Sequence, residues 1–158
     1  MSLVVKEVKT DVVVVGGAGA GCRAAIAAAE EGVDVVILDK GTAGRSGATP
    51  CALWSIQAPF GKMGTGPRDS PEQMFKDLVL GGRYLGDQNI LEVIANTACD
   101  RILDLERYGV KFKKTEDGRF YQTPMPGQTH PRSCFIIENG HALSTILAKE
   151  ASRHSNIW

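Results

Sequence analysis

With 158 residues, 43% of them hydrophobic and 23% charged, the chain has the composition of an ordinary globular protein and length enough for one domain, complete or incomplete, with a real core. Its 18 Lys and Arg balance 18 Asp and Glu, so no broad field draws it to nucleic acid or an anionic surface, and a small or electroneutral partner is favoured. Apolar runs such as Val12 to Val15 fall far short of the roughly 20 residues that cross a bilayer. With no signal-peptide pattern at the N-terminus, the chain is expected in the cytoplasm, without direct membrane insertion.

From Thr10 to Lys40, two β-branched runs flank an Ala-rich stretch closed by Gly32, which reads as strand, helix, helix stop and strand. Both runs are continuously apolar, so each strand is expected to be buried on two faces of a parallel sheet, joined by a right-handed crossover. Residues 41 to 67 hold six Gly and three Pro without a sustained period and read as a long irregular segment, the kind that carries function. Ser70, Pro71 and Gln73 then supply an N-cap, an N1 proline and an N3 amide for a helix running to Gly81-Gly82. Asp87 caps a second helix, which ends at Gly109 and places Ile90, Leu91, Ile94, Ala98, Ile102 and Leu105 on one stripe. Val110 to Tyr121 reads as a hairpin turning at Asp117-Gly118, followed by a Pro-rich loop to Pro131. A last helix over about 140–153 carries Leu143, Ile146 and Leu147, and residues 155–158 look like the start of another strand.

The chemistry sits in the turn between the first strand and the first helix, Gly16-Gly17-Ala18-Gly19-Ala20-Gly21. In that context free backbone N–H groups and the positive end of a helix dipole meet a pyrophosphate, and small residues let the backbone approach it. Asp39 closes the second strand about where an acidic side chain accepts hydrogen bonds from a ribose hydroxyl. The spacing fits G-x-G-x-x-G at Gly16 and Gly21, but Ala18 stands at the middle glycine, and the turn and Asp39 alone do not distinguish FAD from NAD. Cys22, Cys51, Cys99 and Cys134 form no C-x-x-C pair and read as reduced and structural. His130, His141 and His154 have no carboxylate or nucleophile at a telling spacing, so no catalytic role is assigned to them. For Arg132 two roles stay open, a fork on a carboxylate or a surface ion pair.

The run DVVVVGGAGAGCRAAIAAAEEGVDVVILDK followed by GRSGAT resembles the FAD-binding start of the succinate dehydrogenase and fumarate reductase flavoprotein family, which includes L-aspartate oxidase. The segment DSPEQMFKDLVLGGRYLGDQNILEVIANTACDRILDLERYGVKF, and then GQTHPR and NGHALSTILAKEA, resemble the same family. The resemblance implies an α/β, Rossmann-like FAD-binding domain, here incomplete: parallel strands with helices plus a small hairpin, over residues 1–158, ending before capping and substrate-binding regions. It places Gly16, Ala20 and Gly21 at the pyrophosphate, Asp39 at the adenosine ribose with Lys40 beside it, and Ser46 and Thr49 toward the flavin, and it counts Gly17, Ala18, Arg45, Gly47 and Ala48 among the cofactor-binding residues.

Respiratory members attach FAD through the histidine of an R-S-H-T motif; Arg45-Ser46-Gly47-Ala48-Thr49 has none, so FAD is expected to be non-covalent. Where the family often has paired glycines near the flavin ring, this chain has Trp54-Ser55, which reads either as an anchoring aromatic or as a ring contact. Met125 aligns with a substrate-selecting position, acidic in L-aspartate oxidases and commonly aromatic in the succinate and fumarate enzymes. An apolar side chain there cannot pair with a substrate ammonium, which disfavours aspartate; ordinary packing is the other reading. The resemblance further implies two-electron transfer between FAD and a dicarboxylate, a partner that carries iron–sulfur clusters, and peripheral attachment to a membrane complex at most. The family's catalytic arginines and histidines have no counterpart in this sequence, so the chain by itself is expected to contact FAD without catalysis. An L-aspartate oxidase-like or other FAD dehydrogenase, and a fragment that binds little or no nucleotide, are the alternatives.

Overall fold

The computed structural model describes residues 7–52 and 55–158. They fall into two compact units, one made of residues up to Cys51 with His141–Trp158, the other of Ala52–Gly140.

In the first unit, β1 (Val12–Val15) leads through the glycine turn into α1 (Gly19–Glu30), and Gly32, at φ +84°, reverses the chain into β2 (Val35–Leu38). The strands pair in parallel, with Val12 opposite Val35 and Val15 opposite Leu38. Alanine costs the least entropy in a helix, and in α1 it also lets the helix lie close to the strands: Cys22, Ala25, Ile26 and Ala29 are buried at helical spacing. Ala25, Ala29 and Val35 form a core against Val12, Val14, Ile37 and Ile157. The chain's last residues do extend this sheet. Ile157 bridges Val35 in parallel, Val35 N–H donates to the Asn156 carbonyl at 2.8 Å and Ile37 N–H to that of Trp158 at 2.8 Å. The Asn156 amide donates to the Ala29 and Val33 carbonyls, which ties this segment to the end of α1. α4 (Asn139–Ala151) buries Leu143, Leu147 and Ala151.

The expected burial of the strands on two faces is not met. Val13 is 53%, Val15 83% and Leu38 54% exposed. α1 covers one face, and the alternating burial of β1 records that one-sided cover.

In the second unit, β3 (Ser55–Gln57), β4 (Gln122–Thr123) and β5 (Ser133–Phe135) form an antiparallel sheet with β5 in the middle. The segment 41–67 is therefore not wholly irregular: it contains β3 and short 3-10 turns at Thr49–Cys51 and Gly61–Met63. α2 (Pro71–Gly81) starts as the sequence implies, with Ser70 Oγ accepting from Gln73 N–H at 3.2 Å. α3 (Gln88–Tyr108) is capped by Asp87 and ends at Gly109, φ +109°.

The stripe on α3 needs correction. Ile90 and Ile94 are exposed, whereas Ala95 and Ile102 are buried and Leu91, Ala98 and Leu105 are half-buried. Without Ile90 and Ile94, and with Ala95 added, the positions 91, 95, 98, 102 and 105 repeat at steps of four and three, the regular seam of a packed helix. The hairpin survives as a tight turn: Lys114 bridges Phe120 around Asp117-Gly118, while Phe112 bridges Ile136 instead. Phe120 stacks on Phe60 with centroids 4.0 Å apart and meets Phe112 edge-on, so aromatic packing diverts the strands that a simple hairpin would pair.

Candidate cofactor site

Gly16 carries the chain from β1 into the turn at φ +105°, a conformation L side chains rarely adopt. Its N–H donates to the Leu38 carbonyl at 2.8 Å, which holds the turn against the end of β2. A Cβ at Gly21 would collide with the Gly16 carbonyl oxygen, so α1 can approach the turn this closely only with glycine there. Ala18 serves as N-cap in an extended conformation (φ −79°, ψ −171°) and offers no side-chain cap. The first intrahelical bond is Cys22 N–H to the Ala18 carbonyl at 2.9 Å. The N–H groups of Ala20 and Gly21 precede it, at the positive end of the helix, where an anion is favoured. The methyl of Ala18 does not spoil the turn, because its backbone lies where any residue is at ease.

Asp39 organises the rest. Its Oδ2 accepts from Gly17 N–H at 2.5 Å and from the Ser46 hydroxyl at 2.7 Å, and its Oδ1 from Gly41 N–H at 2.7 Å. The Gly41 N–H, the Ser46 hydroxyl and the Gly17 N–H, in that order, hold its carboxyl below the usual carboxylate range. A carboxylate has about four acceptor sites; three are used by the chain, which leaves one on Oδ1. Thr49 Oγ1 accepts from Gly19 N–H at 3.1 Å, so residues of the loop after β2 grip the glycine turn at two points.

Gly16, Ala18, Asp39, Lys40, Ser46 and Gly47, with Val15 and Leu38, line a cleft of about 290 Å³. Asp39 also borders a second cleft of about 300 Å³, with Cys22, Ile37, Ala43, Ala148 and Trp158. Lys40, Arg45, Gly47 and Ala48 are exposed. The sequence did not reveal Gly44, at φ +78°, where a Cβ would come 2.5 Å from that of Ala148. The glycine lets the loop after β2 pass close to α4. The open turn, the Ala20 and Gly21 N–H groups at the helix end and the free acceptor on Asp39 fit a dinucleotide: anionic phosphates at the helix end and a hydroxyl at the carboxylate.

Met125 lies in the second unit, 44% exposed, at a turn with Pro126 and Gly127, φ +82°. Trp54 lies outside the described residues. Arg132, one of whose expected roles was a surface ion pair, is instead 1% exposed and bridges Asp69 and Asp77. Neither aspartate stands out in the sequence, because their partner lies more than 50 residues away. The four cysteines are free thiols. Burial pushes the Cys134 thiol up to about 12 and that of Cys99 up to about 11, while Cys51 is exposed. Among the described residues no histidine, cysteine or carboxylate cluster could hold a metal, and no helix is long and apolar enough to cross a membrane.

Residues 11–157 match the FAD binding domain family. The chain is 38% identical over 144 residues to one of the subunits of the fumarate reductase (CoM/CoB) of Methanothermobacter marburgensis, covering 90% of this chain and 26% of that one. It is 39% identical over 155 residues to the succinate dehydrogenase flavoprotein subunit of Rickettsia bellii, covering 92% and 25%. Among solved structures, a chain of the Mycobacterium smegmatis Sdh1 complex in the apo form superposes with a TM-score of 0.85 at 30% identity, covering 94% of this chain and 27% of that one. The chain thus spans about a quarter of the length of these relatives.

Proposed function

The chain belongs to the FAD binding domain family, and from that premise we propose that it forms the FAD-holding portion of a flavoprotein oxidoreductase exchanging two electrons with a dicarboxylate. The observation that carries the reading is the clasp of Asp39 and Thr49 on the glycine turn at the N-terminus of α1, beside the N–H groups of Ala20 and Gly21. The backbone of Gly16, Ala20 and Gly21 receives the pyrophosphate. Asp39, ionised at neutral pH, offers its remaining acceptor to a ribose hydroxyl, and Lys40 stands beside it. The run from Arg45 to Thr49 leads toward the flavin.

Bound FAD supplies hydride-transfer chemistry that no side chain can. This chain's residues bind and orient it. Gly47 occupies the position at which the respiratory enzymes carry their linking histidine, and a glycine forms no bond to the ring, so attachment is non-covalent. Among the described residues no complete set of acid, base and carboxylate-binding groups comes together, and no catalytic step is assigned to this chain. A dicarboxylate substrate and a partner subunit are supported by the names of the relatives, the iron–sulfur clusters of that partner rest on the family resemblance alone, and the apolar Met125 disfavours an amino acid substrate.

The test is the visible spectrum of the protein as purified, together with its melting temperature with FAD and with NAD. Flavin bands that vanish into the supernatant on acid precipitation, and a melting temperature raised by FAD and unmoved by NAD, are expected, since a ligand that binds the native state stabilises it. Flavin that stays with the precipitate overturns non-covalent attachment. A colourless protein unmoved by FAD overturns the reading as a whole.

A further inference from the structure

The segment that carries Met125 rests on a buried charge cluster that plays no part in the cofactor site. Arg132 Nη2 donates to Asp69 Oδ1 at 2.9 Å and to Asp77 Oδ2 at 2.6 Å. The Arg132 and Asp69 side chains are 1% and 0% exposed, and that of Asp77 8%. Asp77, on α2, turns both oxygens to the loop as well: Oδ2 accepts from Thr129 N–H at 2.8 Å and Oδ1 from the Thr129 hydroxyl at 2.7 Å. Gln73, one helical turn earlier, donates to Asp77 Oδ1 at 2.9 Å and to Thr129 Oγ1 at 3.1 Å. From Thr129 the hold passes to the turn itself. Gln128 Oε1 accepts from Met125 N–H at 3.0 Å, Gln128 N–H donates to the Met125 carbonyl at 3.1 Å, and Gln128 Nε2 donates to Ser133 Oγ at 3.1 Å.

A buried ion cluster of this kind gains little stability over well-packed apolar side chains, and what it supplies is a fixed geometry. Here the geometry has something to resist. An open cleft of about 200 Å³ lies against the turn, lined by Gln57, Asp77, Gly82, Gly127, Gln128 and Arg132, so a turn released from Asp77 has room to move. The polar links are directional and tie the turn to α2 and β5, so the height of residue 125 depends on the links.

We infer that Asp77 is a positioning residue: through Thr129 and Gln128 it fixes the turn that presents Met125 to the substrate, with Arg132 and Asp69 holding Asp77 in place. The inference rests on the proposed reading in one respect, that residue 125 faces the dicarboxylate.

The test uses the full-length, FAD-loaded protein with Asp77→Asn, which keeps the shape of the side chain but turns an amide nitrogen toward one of its donors. Amide hydrogen exchange at Thr129 and in the 125–128 turn is expected to quicken about tenfold, the loss of roughly one charged hydrogen bond. The KM for succinate or fumarate is expected to rise several-fold, with kcat and the flavin spectrum nearly unchanged. A purely structural role would lower the melting temperature and leave KM alone. Exchange at Thr129 that does not change overturns the clamp, and quickened exchange with an unchanged KM overturns its role in presenting residue 125. Should Asp77→Asn not fold, Thr129→Val removes the hydroxyl link and leaves the Arg132 pairs intact, with the same two readings. If the wild-type protein turns over neither dicarboxylate, the substrate reading falls, and the exchange measurement alone decides the clamp.

Discussion

A methyl group at residue 21 has nowhere to go, because it would collide with the Gly16 carbonyl oxygen at the tightest point of the turn. Gly21→Ala is therefore expected to destabilise the protein by about 1–3 kcal/mol in denaturant unfolding, the range for overpacking a tight site, and to abolish the melting shift produced by FAD. Ala18→Gly, which restores the middle glycine of the pattern, is expected to leave both nearly unchanged, since Ala18 already sits in an ordinary extended conformation. Asp39 gives a second test. Its carboxyl is held below its ordinary value of about 3.9, so the stability it contributes is present above that value and is lost as pH falls through the lower folded value. Wild type should melt above Asp39→Asn at neutral pH, and the gap should close as melting is followed downward from about pH 4. Gly16, Gly21 and Asp39 were legible because the turn and the strand end impose them at a short spacing. The Thr49 bond to Gly19 and the Arg132 cluster were not, because they join residues 30 to 63 positions apart that only the folded chain brings together.

At the scale of elements, caps were read well and faces less well. Ser70 and Asp87 act through their own helix ends, so the sequence shows both partners at once. Asp87→Ala should cost about 1 kcal/mol by thermal or denaturant unfolding. The face of α3 depends on what the helix lies against, and the two exposed isoleucines Ile90 and Ile94 mimic a stripe the fold does not use. Ile102→Ala is expected to cost about 2–5 kcal/mol, and Ile94→Ala to stay within about 0.5 kcal/mol; the reverse order would restore the stripe read from the sequence. The strands of the second unit were half hidden for a similar reason. β4 has two residues and β5 three, too few for an alternation to declare itself.

At the scale of the whole molecule, β1 is a run of four valines whose outer edge pairs with no strand among the described residues and whose outer face is open, Val15 being 83% exposed. An uncharged, proline-free edge of that kind is a template for a foreign strand. The chain's positive and negative side chains cancel at neutral pH, so little colloidal repulsion keeps two copies apart. The isolated chain should therefore associate in a concentration-dependent way, seen as rising light scattering near neutral pH. Val13→Lys, which places a charge on the 53%-exposed face of the strand, should suppress the scattering. The four valines that seat the dinucleotide turn thus also set a solubility ceiling for any form of the protein that leaves this edge bare.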